Sequence, residues 1–257
     1  DYEKAIQLIN EAILLNPKTA DYHNNISVVY LSLKQIILAK SHVKIALQLN
    51  PKMIQAHYNL GNLLFSQGNI KQSLIAFKRS LELDKNNQNI WANYLFTYNF
   101  SKETDHADVF NINRMWGKNL EKKIKTKQKF RNHKTTNRRL KIAYFLPELD
   151  KHVTFRYLTP VLNFHNKVKF ELAGYGNRTD NEPPELDITN QFNFWTDISG
   201  FNAAKIAETM RNDQIDILLH PCTYKSRYRI LLAHRAAPVQ IACINLVSTT
   251  GLMATDY

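Results

Sequence analysis

Glycine is scarce in this sequence, seven in 257 residues, and those seven never fall into G-x-G-x-x-G or a P-loop. A nucleotide held by the backbone of a glycine-rich loop is therefore not supported within this segment. Cysteine is scarcer still. Cys222 and Cys243 have no second pair, which argues against a disulfide scaffold and against a zinc site, and two isolated thiols suit a reducing cytoplasm. No apolar run approaches the roughly 20 residues of a membrane span. Asp1-Tyr2-Glu3-Lys4 is not a charged n-region leading into an apolar h-region, so no secretory signal is read. With 44% hydrophobic and 22% charged residues and only 8 prolines, collagen and wholesale disorder are excluded. One or two globular domains remain.

Acidic residues are also few, 22 against 34 basic ones, for a net charge of +12. Most of the excess is local. Lys122, Lys123, Lys125, Lys127, Lys129, Arg131, Lys134, Arg138 and Arg139 lie in a single stretch, 120–139, whose one acid is Glu121. Such a run reads first as a solvated linker. A surface for nucleic acid or an anionic membrane is the competing reading. Nucleic acid is the disfavoured partner, because Phe130 is the one aromatic available for base stacking.

The first hundred residues repeat at an offset of 34. Pro17 recurs as Pro51; Ala5 as Ala39 and Ser73; Ala12 as Ala46 and Ser80. Ile9, Val43 and Phe77 form a large apolar column, Leu15, Leu49 and Leu83 another, and Tyr30, Leu64 and Tyr98 a third. Small residues let antiparallel helices approach, the large residue fills the gap, and proline closes the second helix. The pattern resembles the tetratricopeptide repeat. Residues 1–19 read as the second helix of a truncated repeat, 20–53 and 54–87 as complete repeats, and 88–100 as the first helix of another. One column is polar: Asn25, Asn59 and Asn93. An asparagine ladder on first helices can pair with the backbone of an extended peptide whatever its sequence. His23 and His57 read as seam residues rather than metal ligands.

After Phe100 the period stops. Residues 104–125 read as a helix, followed by the basic linker. Leu140–Leu146, Val168–Tyr175, Phe192–Ile198, Ile215–Leu219 and Val239–Ile244 read as strands. Phe155–His165, with Pro160 near its first turn, Asn202–Asn212 and Arg227–Arg235 read as helices, and Asn177–Glu185 as loop. This alternation predicts a parallel, doubly wound sheet with ligands at the carboxyl ends of its strands.

Five stretches carry a family resemblance. They are Leu140-Lys141-Ile142-Ala143-Tyr144 with His152 eight residues on, Phe170-Glu171-Leu172-Ala173-Gly174-Tyr175, Ile215-Asp216-Ile217-Leu218-Leu219, Arg235-Ala236-Ala237-Pro238-Val239-Gln240, and Thr249-Thr250-Gly251 with Asp256-Tyr257. In this order and spacing, after a repeat array, they resemble the O-linked N-acetylglucosamine transferase family and its Spindly-like members. The likeness implies three parts: a repeat solenoid over 1–100, a helical connector and basic linker over 101–139, and over 140–257 the Rossmann-like amino-terminal lobe of a two-lobe inverting glycosyltransferase. It implies transfer of a sugar, usually GlcNAc from UDP-GlcNAc and in some plant members fucose from GDP-fucose, to Ser/Thr of protein acceptors held by the repeats, with no metal or other cofactor.

His152 matches the family's active-site histidine. His220, Thr249, Thr250 and Gly251 are donor-side or lobe-interface candidates, and Asn25, Asn59 and Asn93 the peptide-binding residues. The sequence departs from the family where His220-Pro221-Cys222-Thr223-Tyr224 replaces D-L-[HN]-G-[HY]-T, and where Asn245-Leu246-Val247-Ser248 replaces G-Y-P-G. A catalytically silent repeat adaptor is the alternative those departures raise. Because most nucleotide-sugar contacts in this family come from a second lobe, the 257-residue chain alone is expected not to turn over. A cytoplasmic location is the accompanying expectation.

Overall fold

The computed structural model describes residues 1–124, 129–135, 137–147, 154–177, 188–221, 226–243 and 249–257. The chain divides into two compact units, Asp1–Val109 and Phe110–Tyr257.

The first unit is a stack of antiparallel helices: α1 (Tyr2–Leu15), α2 (Ala20–Ser32), α3 (Ile36–Leu49), α4 (Ile54–Ser66), α5 (Ile70–Leu83) and α6 (Gln88–Tyr98). The helix starts keep the offset of the sequence columns, Ala20 recurring as Ile54 and Gln88, and Ile36 as Ile70. The side chains in those columns explain why. Ala39 and Ala46 are fully buried in α3, and their counterparts in α5 are buried serines. Ser73 Oγ donates to the carbonyl of Gly61 at 2.7 Å and Ser80 Oγ to that of Ile54 at 2.9 Å, so the small positions stay small and the added hydroxyls are satisfied. Gly61 is required by its neighbour, since a methyl there would meet the ring of Phe77. The tight turn between paired helices needs a left-handed residue. Gly68 supplies it at φ 73°, and Lys34, one repeat earlier, adopts φ 59° at a cost of about 1 kcal/mol.

A further column is visible only in three dimensions. His23 Nε2 donates to the carbonyl of Pro17 at 3.1 Å, His57 Nε2 to that of Pro51 at 2.9 Å, and Trp91 Nε1 to that of Lys85 at 2.9 Å. A ring N–H at this position ties each first helix to the turn before it. At His23 that bond fixes the tautomer, because a carbonyl only accepts. Nδ1 of His23 is then an acceptor, and His42 Nδ1, 3.0 Å away on α3, donates to it. Burial, then the neighbouring His23, hold the His42 pKa below its ordinary value. The unfolded chain therefore takes up the proton more readily. The His42 contribution is complete above the ordinary histidine pKa of about 6.5 and is lost as pH falls below that value through the lower folded one. Thermal melts should show the first unit losing stability over that range, and His42→Gln should flatten the dependence. A profile identical in wild type and variant would refute the coupling.

The second unit holds most of α7 (His106–Ile124) and a five-stranded sheet: β1 (Leu140–Leu146), β2 (Phe170–Gly176), β3 (Phe194–Asp197), β4 (Ile217–Pro221) and β5 (Val239–Cys243). Three helices, α8 (Thr154–Asn163), α9 (Ala203–Asn212) and α10 (Ser226–Ala233), connect the strands. The strand order is β3-β2-β1-β4-β5 and every pairing is parallel. Burial on both faces accounts for the continuous apolar run of β1. Ile142, Tyr144 and Leu146 pack with Leu158 and Leu162 of α8, while Phe145 faces Tyr228 of α10 at 5.3 Å between ring centroids.

Two local expectations are corrected. Pro160 falls inside α8 rather than in its first turn, because the helix already begins at Thr154. β2 starts at Phe170 rather than at Val168, because Asn166 closes a turn onto Val168 and Lys169 and leaves Val168 85% exposed.

Candidate functional site

In this strand order the chain leaves β1 toward β2 and β3, then crosses to β4 on the other side. The switch point therefore lies between β1 and β4, where open parallel sheets bind ligands at the carboxyl ends. β1 ends at Leu146 and β4 at Pro221.

His220 stands at that end of β4. The pleat puts it on the α10 face, with Phe145 at 5.5 Å and Tyr228 at 5.1 Å between ring centroids. It is completely buried, and neither ring nitrogen has a hydrogen-bond partner among the described residues. Burial drives its pKa down to about 3, against a smaller opposing pull from the backbone at His220 and Tyr228. The imidazole is thus neutral throughout the physiological range. An unsatisfied buried polar group costs about 1–3 kcal/mol, which packing alone does not explain.

Other buried polar atoms without partners among the described residues include Asn177 Oδ1, just past the end of β2, and Trp195 Nε1 on β3. Trp195 lies across Gly174 and Gly176, where a methyl on either glycine would run into the indole. Neither Asn177 nor Trp195 stood out in the sequence. The readable signal was a pair of glycines two apart on a strand, which clears one face for a large ring.

Thr249, Thr250 and Gly251 form a turn. Thr249 Oγ1 accepts from the Gly251 N–H at 3.1 Å, and Thr250 Oγ1 from the Leu252 N–H at 3.3 Å. Gly251 sits at φ 72° and packs against Gly117 of α7. Arg229, almost fully buried, reinforces this contact. Its guanidinium lies 5.1 Å from the ring centre of Trp116 and donates to Asn113 Oδ1 at 2.9 Å and to the Thr249 carbonyl at 3.4 Å. The turn is thus locked onto α7, whereas His220 belongs to the sheet.

The remaining quoted motifs have structural duties. Gln240 is fully buried: it accepts from the Ala236 N–H at 2.8 Å and donates to the carbonyls of Leu232 at 2.9 Å and Ala254 at 2.6 Å. Arg235 pairs with Asp256 at 2.9 Å, and the Asp256 carboxylate accepts from the Gln240 N–H at 2.8 Å. Together these bonds lay residues 254–257 alongside β5. Asp216 is gripped by Arg138 through two 2.6 Å contacts, by Asn132 at 2.8 Å and by the Lys141 N–H at 2.9 Å.

His152, and the 245–248 stretch that departs from the family pattern, lie outside the described residues, as does Cys222. Cys243 is a half-buried free thiol, pushed up in pKa by burial. In the first unit Asn25, Asn59 and Asn93 sit on α2, α4 and α6. Asn59 Nδ2 donates to Asn24 Oδ1 at 2.8 Å, and Asn93 Nδ2 to Tyr58 Oη at 2.9 Å and Asn62 Oδ1 at 2.7 Å. Asn25 is exposed, and its Oδ1 faces Asn24 Nδ2 at 3.5 Å. Among the described residues no three His, Cys, Asp or Glu side chains come together to hold a metal, and no helix is long and apolar enough to cross a membrane.

Comparison with known proteins gives this arrangement a context. Residues 54–87 match the Tetratricopeptide repeat, and residues 106–257 match Glycosyl transferase family 41. A relative from Oryza sativa subsp. japonica, named "Probable UDP-N-acetylglucosamine--peptide N-acetylglucosaminyltransferase SPINDLY", is 26% identical over 187 residues, 71% of this chain and 20% of that protein. The protein of the same name from Hordeum vulgare is 28% identical over 181 residues, 68% of this chain and 19% of its own length. The chain thus spans about a fifth of these relatives. A Thermobaculum terrenum O-GlcNAc transferase mutant superimposes with a TM-score of 0.85 at 23% identity, over 100% of this chain and 50% of that one, and so shares its fold.

Proposed function

This chain belongs to glycosyl transferase family 41, and on that premise we propose that it is part of an enzyme transferring a sugar to protein hydroxyls. The donor in this reading is UDP-GlcNAc, the acceptor a Ser or Thr on a polypeptide held by the repeats, and no metal takes part. The observation that carries the reading is the switch point itself. A neutral, fully buried His220, its ring nitrogens without a side-chain partner among the described residues, lies next to the last residue of β4, and His152 follows in sequence the other strand of that crevice, β1.

The division of labour follows from the chemistry. His152 takes the proton from the attacking hydroxyl, a role for which imidazole is chemically suited. His220, held neutral by burial, is a polar group lodged behind the crevice rather than a proton carrier. Thr249, Thr250 and Gly251, in a turn braced on α7, stay donor-side or lobe-interface candidates in this reading. Asn25, Asn59 and Asn93 read the peptide backbone. With the amide nitrogens of Asn59 and Asn93 already bonded to the neighbouring repeat, their side-chain oxygens are left for its N–H groups.

The test uses the full-length protein, UDP-GlcNAc and an acceptor protein, with transfer read by mass spectrometry. His152→Ala should lower kcat by about 10²–10⁴-fold, the range for loss of a general base. His220→Leu should reduce transfer while raising stability by about 1 kcal/mol, since it removes an unsatisfied buried group. Equal transfer by wild type and His152→Ala would remove that residue from the mechanism. No transfer by wild type, with peptide binding intact, would point to a silent adaptor instead.

A further inference from the structure

The end of the sheet away from the candidate site carries an unusual surface. Two segments meet there, residues 131–135 and 137–139 ahead of β1 and residues 164–169 ahead of β2. Arg131, Lys134, Arg139, Lys167 and Lys169 are all exposed on them. The basic run is thus divided by the fold. Arg138 turns inward and is neutralised by Asp216, while Arg139 is pinned at the rim by its 2.7 Å bond to the Phe170 carbonyl. A shallow cavity of about 800 Å³ lies between the segments, bordered by Lys134, Arg138, Arg139, Val168 and Lys169, with no acidic side chain among its described lining residues.

The same turn exposes large apolar side chains. Phe164 is 90% and Val168 85% exposed, and Val168 stands between Lys167 and Lys169. Neither contributes to the core, and in water each holds apolar surface that gains from burial. Cations around protruding apolar side chains match a lipid interface, where lysines meet anionic headgroups and the apolar tips enter the acyl boundary. A nucleic-acid duplex would use the cations but has no use for an aliphatic tip such as Val168.

We propose that this edge of the second unit docks on an anionic lipid bilayer, with Phe164 and Val168 entering the interface and Arg131, Lys134, Arg139, Lys167 and Lys169 contacting headgroups. The carboxyl ends of the strands would then face away from the bilayer, leaving the candidate site open to soluble acceptors.

Co-sedimentation with vesicles tests this. The protein should bind phosphatidylserine-containing vesicles, bind pure phosphatidylcholine far less, and lose affinity as salt rises. Phe164→Ser with Val168→Ser should weaken binding about tenfold, as should Lys167→Glu with Lys169→Glu, both without a change in melting temperature because all four side chains are exposed. Equal binding to neutral and anionic vesicles would overturn the proposal. So would unchanged vesicle binding by the Phe164/Val168 double variant. A duplex RNA bound more tightly than the vesicles, and equally by that variant, would assign the patch to nucleic acid instead.

Discussion

Replacing Gly251 with alanine is expected to destabilise the second unit by about 4 kcal/mol. Two costs combine. The residue sits at φ 72°, where a Cβ is disfavoured by about 1–2 kcal/mol. The added methyl would also overlap the carbonyl of Asn113 on α7, a backbone group that cannot rotate aside. Relief requires the turn and helix to separate, which would disturb the Arg229 bonds to Asn113 and Thr249 and its stacking on Trp116. Gly117→Ala probes the other side of the contact, since its methyl would strike the Gly251 carbonyl. Gly117 is inside α7, where alanine regains about 1 kcal/mol of helix propensity against the overlap, so the net loss should be about 1–2 kcal/mol. Because both variants open one interface, the double variant should cost less than their sum. Denaturant unfolding measures all three. A loss below about 1 kcal/mol for Gly251→Ala would mean the turn does not pack on α7 as described.

Arg138→Ala should cost about 3 kcal/mol, an effect out of scale with its place in a basic linker. Its partner Asp216 has a side chain only 9% exposed. Burial alone would raise the Asp216 pKa, but hydrogen bonds from Arg138, the Lys141 N–H and Asn132 outweigh it and hold the carboxyl below its ordinary value. Without Arg138 a buried carboxylate keeps two neutral donors and no counter-charge. Stability should also follow pH in a definite sense. Since the folded pKa is depressed, the contribution is present above the unfolded carboxylate pKa of about 4 and is lost as pH falls through the folded value. Arg138→Ala should weaken that acid-side dependence. Lys134→Ala, at an exposed neighbour, should change stability by less than about 0.5 kcal/mol. Equal costs for the two would show that the Asp216 grip contributes nothing special.

The repeat was legible because its causes are local and recur. A small side chain at a helix crossing, a large one beside it and a proline or capping residue at the end leave their mark once in every helix pair. The strands were legible because β1, buried on both faces, needs a continuous apolar run. Boundaries shifted where single side chains intervened, as at Val168, turned outward by Asn166. The linker was legible as charge but not as function. Nothing in the spacing of Arg138 and Arg139 tells which one turns inward, because the carboxylate that decides it, Asp216, lies far downstream at the entry to β4.

The amino-acid order by itself determined the elements, their sequence along the chain and the family likeness, since helix period, strand alternation and turn chemistry act over short distances in the chain. Only the tertiary structure decided that His23 meets His42, that Gly117 and Gly251 touch, and that His220 is buried between Phe145 and Tyr228. Those outcomes depend on which surfaces exclude water together. Contact of that kind joins residues far apart in the chain, and periodicity carries no record of it.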